Sequence, residues 1–356
     1  MTDEALHKFN QTQFEKDLIE WFYKYQRDLP WRKTKDPYYI WISEVMLQQT
    51  KVDTVINYYN NFTTRYPTIF DLAKAPEQEV LKEWEGLGYY SRARNLHEAV
   101  KEVVARYDGV VPEDPKALGA LKGIGPYTQG AILSIAFNQA EPAVDGNVMR
   151  VLARILLIKD NIMDQKTRRR FEKIVREIIS KEDPSAFNQA LMELGALICI
   201  PRSPRCEECP VQRHCRAFAT NNEKNLPVRI TKKRQKSLDY ITVCLYDEAG
   251  NIAIEQRPRT GLLANMWQFP MFDKNDLKEN SLVELFAERY GFDIIVEEKL
   301  GNVKHVFSHL TWNLTVHYAS VKQSIEDDSR LTFVSATELL TYPISVAHQK
   351  VMNLLP

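Results

Sequence analysis

Apolar residues recur at intervals of three and four over the first 220 residues. Phe14, Leu18, Ile19, Trp21 and Phe22 form one such stripe; Val45, Met46 and Leu47 belong to a second; Phe171, Ile174, Val175, Ile178 and Ile179 form a third. Asp114-Pro115 and Asp183-Pro184-Ser185 supply helix starts, and Pro67, Gly86, Gly88, Gly109 and Pro112 interrupt the pattern. The reading is nine to eleven helices and no sheet. The period then changes. Tyr240 to Tyr246, Ile252 to Ile254 and Leu314 to Tyr318 read as strands, with a turn signal at Asp247-Glu248-Ala249-Gly250-Asn251 and a helix over Leu282 to Tyr290. Between the two regimes, Asn221 to Lys236 is polar and basic and reads as a linker. The expected organisation is a helical domain over 1–220, a linker over 221–236 and an α+β domain over 237–356.

With 356 residues, 44% hydrophobic and 26% charged, the chain can bury two cores. No apolar run approaches the ~18 residues that a membrane span requires. Met1-Thr2-Asp3-Glu4 lacks the basic start of a secretory signal, so a cytoplasmic protein without membrane partners is expected. The zero net charge conceals a division. Residues 1–236 carry 37 basic side chains against 31 acidic, and residues 237–356 carry 10 against 16. The first part is therefore the better match for a polyanion.

Chemistry concentrates in two places. Leu121-Lys122-Gly123-Ile124-Gly125-Pro126-Tyr127 falls where a short helix, Pro115 to Leu121, hands over to a second, Tyr127 to Phe137. Glycines there let backbone approach a ligand closely, and free N–H groups of the second helix suit a phosphate. An ordinary helix–helix turn reads the same way. Twenty residues after Gly125 stands Asp145, either an acid for chemistry or a helix N-cap. Cys199, Cys206, Cys209 and Cys215 lie within seventeen residues. Four thiols this close suit a metal centre better than disulfides, with a [4Fe-4S] cluster or zinc as candidates. Arg202, Arg205, Arg213 and Arg216, interleaved with them, could offset a thiolate cluster's charge or meet DNA backbone.

Together the glycine turn, Val144-Asp145-Gly146-Asn147-Val148-Met149-Arg150 and the cysteine quartet resemble the iron–sulfur branch of the helix-hairpin-helix DNA glycosylases. Ser43-Glu44-Val45-Met46-Leu47-Gln48-Gln49-Thr50 and Gly86-Leu87-Gly88-Tyr89-Tyr90-Ser91-Arg92-Ala93-Arg94-Asn95 resemble the MutY-type adenine DNA glycosylases in particular. The resemblance implies two helical subdomains gripping double-stranded DNA, a [4Fe-4S] cofactor and a monomer. Lyase relatives carry a lysine nucleophile where Tyr127 stands here, and a phenol cannot form an imine, so the expected enzyme is monofunctional. Glu44, among apolar Trp41, Val45 and Leu47, would protonate the departing purine, and Asp145 would stabilise the oxocarbenium-like sugar. Tyr127 and Asn147 would orient water and the carboxylates. Lys122, Gly123 and Gly125 would meet phosphate; Gln48, Gln49, Leu87 and Tyr89 would lie near or fill the gap left by the flipped base; Arg27, Trp31 and Arg32 would line the adenine pocket.

Residues 237–356 resemble the Nudix fold in outline. The six positions before Gly291, Glu284 to Arg289, keep only one of the three glutamates that a diphosphohydrolase needs, so binding without cleavage is expected. Phe307-Ser308-His309 resembles a loop that reads 8-oxoguanine. The lesion exchanges an N7 acceptor for an N–H donor, which a serine hydroxyl can accept. His348 is expected to be structural. The whole reads as a base-excision enzyme acting on A:8-oxoguanine and A:G pairs. A pyrimidine-directed glycosylase and a DNA-binding protein without catalysis are the competing readings.

Overall fold

A computed structural model describes residues 3–230, 236–278, 281–321 and 331–356. Met1 and Thr2, and the basic Thr231 to Gln235 of the expected linker, lie outside the described residues. Two compact units emerge, one of residues 1–73 with 98–232 and one of 74–97 with 233–356. The boundary therefore departs from the contiguous 1–220 expected: residues 74–97 group with the second part. Helical periodicity marks a buried face but not which core that face joins. No described helix is long and apolar enough to cross a membrane.

In the first unit the chain is helical and the described residues contain no strand. Aspartates start several helices as the sequence indicates. Asp114 accepts a hydrogen bond from Ala117 N at 2.8 Å ahead of Pro115–Ala120, and Asp183 one from Ala186 N at 2.9 Å ahead of Pro184–Leu197. More short helices form than expected, Ile69–Lys74 and Arg216–Ala219 among them, because one or two turns leave too little periodicity to read. One core runs from Phe14, Leu18 and Phe22 on Gln11–Tyr25, through Val148, Val151 and Leu152 on Gly146–Ile155, to Phe187, Leu191 and Leu194 on Pro184–Leu197. The first half of the expected linker is not loose: Leu226 is buried and Ile162 N donates to Val228 O at 3.0 Å.

The second unit holds β1 (Lys236–Tyr246), β2 (Ile252–Gln256), β3 (Trp267–Gln268), β4 (Met271–Asp273), β5 (Ile295–Val306), β6 (Leu310–Ser320) and β7 (Leu331–Val334). The sheet order is β3-β2-β1-β6-β5, with β4 on β1 and β7 on β2; β1 and β6 run parallel and the other pairs antiparallel. Period-2 alternation divides the core. Ile241, Val243 and Leu245 face one cluster with Phe286 and Tyr290 of the Leu282–Tyr290 helix. Cys244 faces the other, with Trp312, Leu314 and Val316 of β6 and Ala347 and Val351 of the Val346–Met352 helix. The first strand begins at Lys236, four residues before its apolar run, because parallel pairing with β6 from Leu310 continues through those polar positions.

Candidate functional site

The Pro37–Leu47 helix is almost wholly buried, and that burial defines Glu44. Its side chain is 4% exposed, and Oε2 accepts a hydrogen bond from Tyr127 Oη at 2.6 Å. Burial raises its pKa to about 7; the Tyr127 bond and the Arg32 charge pull it down, and Asp145 pushes it up. Tyr127, one residue into Pro126–Phe137, has its phenol pushed well above 10 by burial and by both carboxylates. Met192 Sδ lies 3.3 Å from the same hydroxyl.

Asp145 takes the N-cap position that the sequence allowed, with its carboxylate in the same cleft as Glu44. It is the N-cap of Gly146–Ile155, accepting from Val148 N at 2.7 Å through Oδ1, while Oδ2 accepts from Asn147 Nδ2 at 2.8 Å. Burial raises its pKa against these bonds. Asn147 Oδ1 accepts in turn from Arg150 Nη2 at 2.8 Å, and Arg150 Nε donates to Cys199 O at 2.8 Å. Close packing supports this arrangement: a Cβ on Gly195 would stand 2.7 Å from Asn147 Cβ, and one on Gly130 2.0 Å from Pro142 O.

Glu44, Tyr127, Asp145 and Asn147 line one cleft of about 760 Å³ together with Arg27, Trp31 and Arg32. Sequence reasoning missed what holds the two arginines. Glu193, 1% exposed, accepts from Arg27 Nη2 at 2.7 Å and from Arg32 Nη2 at 3.0 Å. Burial works to raise its pKa, yet the hydrogen bonds from both guanidiniums hold it at about 2. The signal available in the sequence was one acid within the apolar Ala190-Leu191-Met192-Glu193-Leu194 run. Trp31 is buried edge-to-face against Tyr59, with ring centroids 5.5 Å apart.

At the hairpin, Gly123 takes φ +80°, the left-handed region that disfavours a side chain. Gly125 caps the Pro126–Phe137 helix at φ −92°, and a Cβ there would meet nothing within 4 Å. Lys122 is exposed and paired with Glu98. Gln48 Nε2 donates to Thr128 Oγ1 at 3.1 Å, while the neighbouring Gln49 is exposed at φ +59°.

In the second unit, Tyr89 is 41% exposed at φ +48°, and its hydroxyl is hydrogen-bonded to that of Ser308. Both line a cleft of about 1090 Å³ with Phe307 and His309. The Phe307 ring lies edge-on to Trp312 at 4.9 Å, and its N–H donates to Leu310 O at 2.8 Å, closing the turn that presents Ser308. Leu87, two residues before Tyr89, is buried at 6% exposure, and its N–H donates to Trp84 O at 3.1 Å. His348 is buried, with Nδ1 accepting from Phe269 N at 3.3 Å, and burial lowers its pKa to about 3. Glu284 is engaged in a capping box with Ser281.

The four cysteines Cys199, Cys206, Cys209 and Cys215 are free thiols ringing a recess of about 390 Å³ in the first unit. Among the described residues no three metal-ligating side chains converge tightly enough for a single ion. Zinc needs its sulfurs about 2.3 Å from one centre, so thiols spread around a recess suit a multinuclear cluster better. Burial pushes the Cys209 thiol up to about 12, so a group that binds thiolates must supply positive charge. The interleaved arginines do not aim at sulfur. Arg213 pairs with Asp17, Arg205 with Glu208, and Arg216 donates to the Ala5 and His7 carbonyls. The guanidinium at the sulfur is Arg154, with Nη1 3.2 Å from Cys199 Sγ.

Three family models match in chain order: the HhH-GPD superfamily base excision DNA repair protein over residues 42–177, the iron–sulfur binding domain of endonuclease III over 199–215, and the NUDIX domain over 241–354. The chain is 37% identical to the adenine DNA glycosylase of Arabidopsis thaliana, with 86% of this chain and 57% of that protein covered. It is 33% identical to the adenine DNA glycosylase of Rattus norvegicus, with 96% and 78% covered. The chain thus spans little more than half of the first relative's length. Among solved structures, a thermostable thymine-DNA glycosylase matches with a TM-score of 0.54 at 30% identity, over 59% of this chain and 97% of that one. The cofactor is a [4Fe-4S] cluster. From its helix-hairpin-helix and Nudix-like parts and its identity to these relatives along most of its length, the chain belongs to the adenine DNA glycosylase family.

Proposed function

We propose that this chain is a monofunctional glycosylase of base excision repair that hydrolyses adenine paired with 8-oxoguanine, or with guanine, in duplex DNA. The observation that carries the reading is a carboxyl group titrating near neutrality, Glu44, in the same cleft as a second carboxylate, Asp145. Adenine leaves poorly as an anion, so the reaction needs a proton delivered to the base and negative charge near the sugar. Tyr127 donates to Glu44 Oε2, which leaves Oε1 to carry the proton that passes to adenine N7. Asp145, fixed by Val148 N–H and Asn147, stabilises the cationic sugar from a set position. Arg27 and Arg32, held by Glu193, and Trp31 bound the space for the base. With a phenol at position 127, the abasic product leaves with its strand intact.

Lys122, Gly123 and Gly125 hold a phosphate at the hairpin. Among the described residues nothing stands within 4 Å of a Cβ at 125, which fits a backbone kept bare for a ligand. Gln49 and Tyr89 enter the duplex, and Gln48 lies next to Gln49 in the chain. Ser308, carried between Phe307 and His309, accepts from the N7–H of 8-oxoguanine. The four cysteines are the cluster ligands. A thymine-directed enzyme is the alternative suggested by the solved neighbour, but that protein accounts for only 59% of this chain, and an oxidised-purine reader has no evident use there. The domain limits 1–220, 221–236 and 237–356 remain the proposed functional division, with 74–97 packing in the second unit.

Glu44→Gln tests the reading. It keeps the size of the side chain and removes the transferable proton. Single-turnover adenine release should be abolished while binding of an A:8-oxoguanine duplex persists. Unchanged turnover, or lost binding, rejects the role of Glu44.

A further inference from the structure

We infer that Arg154 is the counter-ion of the iron–sulfur cluster and a positioning residue for Cys199, and that its guanidinium decides how firmly the cluster is held. Arg154 lies on the Gly146–Ile155 helix, 45 residues from Cys199 in sequence, and is 1% exposed. Each of its three nitrogens donates. Nε donates to Leu226 O at 2.9 Å, Nη1 to Ile200 O at 2.8 Å and to Cys199 Sγ at 3.2 Å, and Nη2 to Pro201 O at 3.1 Å. Three of these carbonyls and the sulfur belong to the strand of chain that opens the cysteine loop or the segment that follows it.

No ion pair joins Arg154 to any carboxylate of the described residues. Carbonyl dipoles satisfy its N–H groups but do not cancel its charge, and an uncompensated buried cation is strongly unfavourable. The recess beside it, which Glu223 also lines without pairing to Arg154, offers the larger anion: four cysteines that become thiolates around a cluster of net negative charge. Attraction runs both ways. The cluster stabilises the buried guanidinium, and the guanidinium stabilises the thiolates and holds Cys199 Sγ at one end of the recess. The carbonyl contacts fix the guanidinium plane, so the N–H toward sulfur is directional, which a surface arginine of the loop does not offer. A positive charge and an N–H···S bond also favour the more reduced, more negative cluster.

The test uses the full-length cluster-bound protein and three variants: Arg154→Gln, Arg154→Lys, and Arg202→Gln as a control that removes an exposed charge from the same loop. Iron content, the rate of bleaching of cluster absorbance under a chelator, and the midpoint potential of the cluster in the DNA-free protein are read. Arg154→Gln should bind the cluster about 10- to 100-fold less firmly, seen as faster bleaching, with a potential shifted negative. Arg154→Lys, keeping the charge without the fork, should fall between it and the parent, and Arg202→Gln should match the parent. If Arg154→Gln does not accumulate as folded protein, the lysine variant decides by its bleaching rate and potential. Parent-like loading, bleaching and potential in Arg154→Gln would overturn the inference. So would a lysine variant as labile as a removed charge while its potential stays at the parent value, since shape alone would then be responsible. These readouts do not involve adenine, so the inference can fail while the glycosylase reading stands.

Discussion

The residue to which the proposed mechanism assigns the proton is a glutamate whose pKa is raised chiefly by burial. Glu44 is raised to about 7, and Asp145 is also raised by burial. The glycosylase rate should therefore fall about tenfold per pH unit above neutrality as Glu44 loses its proton, and fall again in acid as Asp145 gains one. A single-turnover pH profile flat to pH 9 would contradict this. The hydrogen bonds from Arg27 and Arg32, acting against burial, make Glu193 a stability residue. Its folded pKa of about 2 lies below its ordinary 4.5, so its contribution is complete above about 4.5 and is lost as pH falls towards 2. Glu193→Ala strands two arginines in the cleft and should cost about 3–5 kcal/mol in denaturant unfolding; a cost below 1 kcal/mol would mean that water replaces the carboxylate. Of these residues, Glu44 and Asp145 could be singled out in the sequence because each stands in a recognisable motif. Glu193 could not, since an acid in an apolar helical run carries no mark of its distant partners Arg27 and Arg32.

At the scale of elements, the hairpin separates a fold requirement from a ligand requirement. Gly123→Ala meets a left-handed backbone and should cost about 1 kcal/mol of stability. Gly125→Ala places its methyl in open space at an ordinary φ, so thermal unfolding should barely move while DNA binding weakens. A loss of stability at 125 equal to that at 123 would remove the argument that its backbone is kept bare for phosphate. The helices on either side were legible because Asp114, Pro115 and an apolar run mark them. In the second unit the long apolar strands were legible and β5 was not. Its Val296-Glu297-Glu298-Lys299 stretch is polar, pairs only with β6, and is broken by register shifts at Val296/Lys299 and Lys299/Gly301, so it never shows a clean alternation. Leu87 was not legible as buried, because its motif mixes exposed residues such as Tyr89 with buried ones such as Tyr90 and Arg92.

For the whole molecule, the proposed function assigns both units to one substrate, and their contributions separate by variant. Ser308→Ala should narrow the preference for 8-oxoguanine over guanine more than it slows adenine removal from A:G; equal losses would reject the reader role. Fold class was legible because the first part keeps the helical period and the second brings in strand-like runs beside a helix. The grouping of 74–97 with the second unit was not, since it rests on packing between segments far apart in sequence. The most direct test of the account is strand cleavage of labelled duplexes carrying A:8-oxoguanine, A:G, A:T and T:G, assayed before and after hot alkali. The account predicts cleavage at the adenine opposite 8-oxoguanine, and more weakly opposite guanine, only after alkali. Cleavage without alkali, cleavage at T:G, or none with any duplex by cluster-loaded protein would contradict it.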